Sequence, residues 1–90
     1  MQVVYPCVLK YEGAAGYGGY FPDIKGAYVA GATLYEALVM AEDVLRGMLQ
    51  TMFEDGDEVK APSDLKDIEL EDGEFVSFVK AEINIVKAVA

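Results

Sequence analysis

An α+β fold with element order β-β-β-α-β, sheet order 3-2-1-4 and one long helix on one face is what this sequence predicts. Three observations carry that reading. Residues 3–12 alternate in polarity as a strand does. A glycine-punctuated stretch, 13–31, can turn the chain back twice. From Thr33 a capped segment keeps its apolar residues at helical spacing. The whole chain, 1–90, reads as a single domain with one modest core.

In the first strand Val3, Tyr5, Cys7, Leu9 and Tyr11 share one face, with Val4, Val8, Lys10 and Glu12 on the other. Gly13-Ala14-Ala15-Gly16 is the hairpin connection, its glycines free to take positive φ. Residues 17–21 return antiparallel, and the expected register sets Tyr17 against Glu12 and Phe21 against Val8. Pro6 then faces Asp23, at the place where the returning strand stops. Phe21-Pro22-Asp23-Ile24-Lys25-Gly26 forms a corner: Pro22 presets φ, Asp23 can accept from backbone N–H groups, and Gly26 allows a left-handed turn. Residues 27–30 make a third short strand closed by Gly31. Gly16-Tyr17-Gly18-Gly19 is no phosphate loop, because it leads into a strand rather than a helix.

Thr33-Leu34-Tyr35-Glu36 is a capping box, and the helix it opens runs to Met52 or Phe53. Leu34, Ala37, Leu38, Ala41, Leu45, Met48, Leu49 and Met52 lie on its core face. Val39, Met40 and Val44 widen the apolar surface beyond that stripe. Gly47 is a weak helix former, so the expectation is a close approach there to the sheet or to a partner. An acidic run, Glu54-Asp55-Gly56-Asp57-Glu58, ends the helix. A polar connection with one helical turn near Ser63-Asp64-Leu65-Lys66 follows. Residues 74–89 form the last strand. Val79, Ala81, Ile83 and Ile85 share its inner face, with Lys80, Glu82 and Asn84 opposite. A right-handed crossover through the helix would bring this strand back parallel to the first.

The helix covers one face of the sheet only, while Val4, Val8 and Phe78 point to the other. With Lys80, Glu82 and Asn84 they form the expected interface of a homo-oligomer, most simply a dimer.

Composition removes several function classes. The single Cys7 cannot form an internal disulfide, and its place in the strand alternation makes it a small core residue. There is no histidine, so zinc binding and imidazole-assisted nucleophilic catalysis lack their usual groups. No catalytic residue, cofactor site or metal site is expected; the acidic run lacks the register of a calcium loop. No apolar run approaches a bilayer span and no signal peptide is visible, so the expected location is cytoplasmic, without membrane contact. The formal net charge is −9, from 7 basic and 16 acidic residues. That balance argues against nucleic-acid binding, which draws on Lys and Arg at phosphates; it suits a basic protein partner and equally an acidic surface that keeps a small protein soluble.

Tyr5-Pro6-Cys7-Val8-Leu9, Tyr20-Phe21-Pro22-Asp23-Ile24-Lys25-Gly26 and Gly31-Ala32-Thr33-Leu34-Tyr35-Glu36-Ala37 together resemble the HicB family of antitoxins. The segment Gly56…Ala61-Pro62-Ser63 resembles that family's loop before the last strand. The resemblance covers nearly the whole chain. It implies a partial RNase H-like fold and a role as antitoxin to a small basic HicA-type toxin that cleaves mRNA. Lys25 and Ala32 stand where the family usually has proline and aspartate, and Glu82 where it often has aspartate. Many members continue into a DNA-binding domain. No such segment is recognisable here, so the expectation is a short form that does not contact DNA itself. Tyr17, Tyr20, Asp23 and Tyr28, near the corner, are the expected toxin contacts, with packing the alternative role for at least two of them. The alternatives are a stand-alone oligomeric regulator without a toxin, or a degenerate RNase H-like nuclease. The latter would need carboxylates such as Glu12, Asp23 and Glu82 to converge on a metal.

Overall fold

The computed structural model describes residues 1–84. Strand β1 is Gln2–Tyr11, β2 is Tyr17–Tyr20, β3 is Tyr28–Gly31 and β4 is Glu74–Glu82; helix α1 spans Leu34–Glu54. The sheet order is β3-β2-β1-β4, as the sequence predicts, with α1 across one face. The inner faces of the strands supply Tyr5, Cys7, Leu9, Val29, Val79 and Ala81, which pack with Ala37, Ala41, Leu45 and Leu49 of the helix. Fully burying a leucine such as Leu45 or Leu49 contributes about 1.5–3 kcal/mol. Leu34, expected on that face, stays partly exposed because it lies in the first turn, before the helix reaches the sheet.

The helix start follows from its cap. Thr33 is extended, and its Oγ1 accepts the Glu36 N–H at 3.1 Å. The reciprocal bond goes one residue further back, from the Ala32 N–H to Glu36 Oε2 at 3.0 Å. The box thereby also fixes the chain as it leaves β3.

Four details depart from the sequence-based expectations. First, the β1–β2 register is one residue tighter, with Tyr11↔Tyr17 and Val8↔Tyr20 paired. Glu12 is drawn into the turn, where its N–H donates to the Gly16 carbonyl at 2.7 Å, and residues 13–15 coil as a 3-10 turn. Pro6 consequently does not face Asp23. It lies beyond the last β1–β2 pair and opposite Phe78 of β4.

Second, β4 is antiparallel to β1, not parallel. The helix carries the chain away from the β3 end of the molecule, and residues 55–73 carry it back. Lys60 touches Tyr5 on the way, and Glu74 then starts β4 opposite Lys10. Two long traverses thus separate β3 from β4, which reverses the direction expected from one. Third, β4 ends at Glu82, short of the anticipated 74–89; Ile85 and the rest of that segment lie outside the described residues.

Fourth, Gly47 closely approaches none of the described residues. A Cβ there would meet no atom of the described residues within 4 Å, and the residue is exposed. Gly47→Ala is therefore expected to stabilise the chain by about 0.5–1 kcal/mol through helix propensity, read as a raised urea midpoint at unchanged slope.

Candidate interaction surface

The corner expected after β2 is present as two successive turns, with Phe21 N–H donating to the Ala27 carbonyl and Ala27 N–H to that of Ile24. Gly26 takes φ +84°, the left-handed value the corner needs. Phe21, Ile24 and Ala27 point into the core, which anchors the corner from below.

Asp23 is the chemical centre of this region, through partners distant in sequence. Its Oδ2 accepts the Ser63 N–H at 2.8 Å, and its Oδ1 accepts the Ser63 hydroxyl. Lys60 Nζ stands 3.2 Å from Oδ1. The carboxylate side chain has no exposed surface. Burial pushes its pKa up, but the two Ser63 hydrogen bonds and the Lys60 ammonium outweigh that and hold it below the ordinary value. The Lys60 carbonyl in turn accepts from Tyr5 Oη at 2.6 Å, and burial together with the Asp23 charge raises the Tyr5 pKa. These contacts latch the 55–73 connection onto the corner.

The four residues expected to contact a toxin do not converge. Tyr28 is 73% exposed, and it pairs with the half-buried Tyr20 on the sheet face away from the helix. Tyr17 lies three residues before Tyr20 in β2, hence on the opposite face, where it packs against Tyr11 and Phe75 at ring distances of 5.2 and 6.5 Å. Asp23 is enclosed in its latch and presents no carboxylate to a partner. The tyrosines fall on different faces because strand alternation separates them. Asp23 is withdrawn because Ser63 and Lys60 claim both its oxygens.

The expected oligomer face is mixed. Val4 and Phe78 are half exposed and Lys80 and Glu82 are exposed, side by side along β1 and β4, while the exposed Asn84 lies past the end of β4. Val8 is different. It is fully buried between its cross-strand neighbours Tyr20 and Val76, so it supports the sheet and offers no surface. Glu82 pairs with the N-terminal ammonium at 3.3 Å, and the Asn84 N–H donates to Gln50 Oε1 at 3.2 Å.

A more apolar surface lies elsewhere. Ala30 and Gly31 of β3 and Tyr35, Glu36, Val39, Met40, Asp43 and Val44 of α1 line an open groove of about 600 Å³. Tyr35 is 76% exposed, and Val39 and Met40 are 45% exposed each. The signal was in the sequence: Val39, Met40 and Val44 widen the helix's apolar surface past the stripe the sheet covers. What the sequence could not supply is that the outer edge of β3 runs beside them.

The three carboxylates that a nuclease would need do not converge. Glu12 sits in the β1–β2 turn, Glu82 pairs with Gln2 at the other end of β1, and Asp23 is bound up with Lys60 and Ser63. Burial pushes the Cys7 thiol up to about 12, so it stays protonated. Among the described residues no group of acidic or thiol side chains could hold a metal ion, and no helix is long and apolar enough to cross a membrane.

Comparison with known proteins agrees with this architecture. The chain superposes on a chain of the toxin-antitoxin complex from Streptococcus pneumoniae with a TM-score of 0.82 and 24% identity, covering 100% of this chain and 81% of that one. It is similar to a chain of the HicA3 and HicB3 toxin-antitoxin complex, with a TM-score of 0.65 and 26% identity over 92% of this chain and 100% of that one. The Burkholderia pseudomallei antitoxin HicB matches with a TM-score of 0.74 and 22% identity, over 86% of this chain and 61% of that one. No curated protein matches the sequence. The family model described as the HicB_like antitoxin of bacterial toxin-antitoxin systems matches residues 5–89. With nearly its whole length matched to that model, the chain belongs to the HicB_like antitoxin family.

Proposed function

We propose that this chain is a non-catalytic interaction protein that binds a small basic HicA-type toxin and neutralises it by occluding its RNA-cleaving site. The observation that carries this reading is family membership over residues 5–89, joined to a 26%-identical relative that is part of the HicA3 and HicB3 complex. The net charge of −9 supports it, since opposite fields speed the encounter of an acidic chain with a basic one. The protonated Cys7 and the dispersed Glu12, Asp23 and Glu82 favour a binding role over a nuclease. The setting proposed is the cytoplasm, where such a toxin meets mRNA, with the chain itself making no contact with nucleic acid.

Self-association forms part of the same proposal. Val4 and Phe78, with Lys80 and Glu82, are exposed on the sheet face opposite α1, and with Asn84, which the helix residue Gln50 binds just past β4, they suit a homodimer. Light scattering at micromolar concentration is expected to give a multiple of 9.8 kDa; a species of that mass alone contradicts the dimer. This face also favours a second reading, an oligomeric regulator that acts without a toxin.

Co-expression separates the two. A small basic protein encoded beside this chain should arrest growth when expressed alone, and the chain should restore growth and co-purify with it. Growth arrest that persists despite abundant soluble chain, with no complex recovered, favours the regulator.

A further inference from the structure

The β3–α1 groove differs from the rest of the surface in three ways. It borders an edge strand, because among the described residues β3 pairs with β2 alone. Its outward-facing backbone is poorly covered. The Ala30 N–H points away from β2 and, among the described residues, meets only the Met40 thioether sulfur, at 3.3 Å, and sulfur is a weak acceptor. By the alternation of antiparallel pairing, Tyr28 presents its backbone groups to the same side. Finally, the exposed apolar side chains of Tyr35, Val39 and Met40 flank this edge. An exposed strand edge beside an apolar groove is the surface that extended segments use when they add to a sheet.

The rim is acidic. Glu36 and Asp43 line the groove, and Glu42 and Asp43 share one guanidinium, Arg46, at 2.7 and 3.0 Å, so carboxylates outnumber the cation. That balance decides between occupants. Two copies joined edge to edge about a two-fold axis would set groove against groove, and Glu36 and Asp43 against the same carboxylates of the other copy. A strand carrying Lys or Arg between apolar residues meets the rim with the opposite charge.

We propose that the open edge of β3 and the groove beside it dock an extended basic and apolar segment of the toxin, which joins the sheet as an added strand. This rests on the antitoxin reading above. On docking, a backbone carbonyl of the incoming strand replaces the Met40 sulfur as acceptor for the Ala30 N–H. Its inward side chains lie on Val39 and Met40, and its cations meet Glu36 and Asp43.

Two experiments test the site. In the first, the full chain is titrated with a blocked peptide of alternating lysine and valine, and separately with its glutamate counterpart, while backbone amides are followed by NMR. The basic peptide should shift the Tyr28 and Ala30 amides and slow exchange of the Ala30 proton about tenfold; the acidic peptide should not. Equal responses to both peptides, or shifts confined to other strands, overturn the proposal. Protection of Ala30 that rises with concentration of the chain alone overturns it in favour of a second copy.

The second experiment measures toxin affinity for Val39→Glu and Met40→Glu, each at a half-exposed position, with Leu65→Gln as a control on the far connection. Loss of about tenfold or more for the groove variants, with the control unchanged and melting temperatures close to wild type, supports the site. Wild-type affinity in both groove variants overturns it. If the unsubstituted chain fails to bind toxin yet still docks the basic peptide, the groove stands and the antitoxin reading falls.

Discussion

Gly31→Ala is expected to destabilise the chain by about 2–3 kcal/mol, lowering its melting temperature by roughly 10–20 °C. A Cβ at Gly31 would overlap the backbone nitrogen and Cα of Ala37 and the carbonyl carbon of Glu36. Those are main-chain atoms of the first helical turn, so no rotamer change relieves the clash. The helix must lift from β3, and Ala37 and Ala41, both fully buried, lose their packing. Urea unfolding monitored by tyrosine fluorescence measures the effect. A midpoint within error of wild type would show that the helix does not sit this close to the strand. The comparison with Gly47→Ala is informative, because the same substitution in the same chain is expected to act with opposite sign where none of the described residues is near.

Asp23→Ala is expected to cost about 2–3 kcal/mol, because Ser63 and Lys60 lose a charged acceptor at an enclosed site. The consequence should be local as well as global. With the latch gone, the 55–73 connection should become more sensitive to protease than α1. The pH dependence has a definite sign. The folded pKa of Asp23 lies below its ordinary value of 3.8, so its ionisation contributes stability that is fully present above that value. The contribution is lost as pH falls through the lower, folded value. The stability difference between wild type and Asp23→Asn should therefore stay level above about pH 5 and shrink below about pH 4. A difference that is flat across the acid range would mean that the carboxylate is not held as described.

The parts of this fold that were legible in the sequence are those set by neighbours along the chain. The polarity alternation of β1, the left-handed Gly26 in the corner and the Thr33 cap are local devices, and each produces the element expected of it. The strand order follows from those elements being short and consecutive. What failed depended on competition between similar arrangements or on distant partners. One extra residue in the first turn shifts the register, and the choice rested on whether Glu12 pairs or turns. The direction of β4 depended on the path of residues 55–73, where polar composition leaves the route open.

Site residues were less legible still. Asp23 was expected to meet a toxin, whereas its carboxylate is taken up by Ser63 and Lys60, some forty residues later, and no local pattern announces that pairing. Tyr17, Tyr20 and Tyr28 look alike in sequence, and only their strand parity sends them to different faces. Val8 reads as a surface residue by alternation alone. It is buried because Tyr20 and Val76 close over it from both sides. The β3–α1 groove shows the opposite case, since the apolar excess on the helix was visible while its neighbour was not.

The claim at the centre of this account is that the chain works by occupying a toxin. Purified chain added in increasing amounts to a purified HicA-type toxin and a labelled mRNA tests it most directly. Cleavage is expected to fall in proportion to added chain and to stop near stoichiometric equivalence, with a weaker effect at high salt because charge steers the encounter. Undiminished cleavage in the presence of a large excess of folded chain would contradict it.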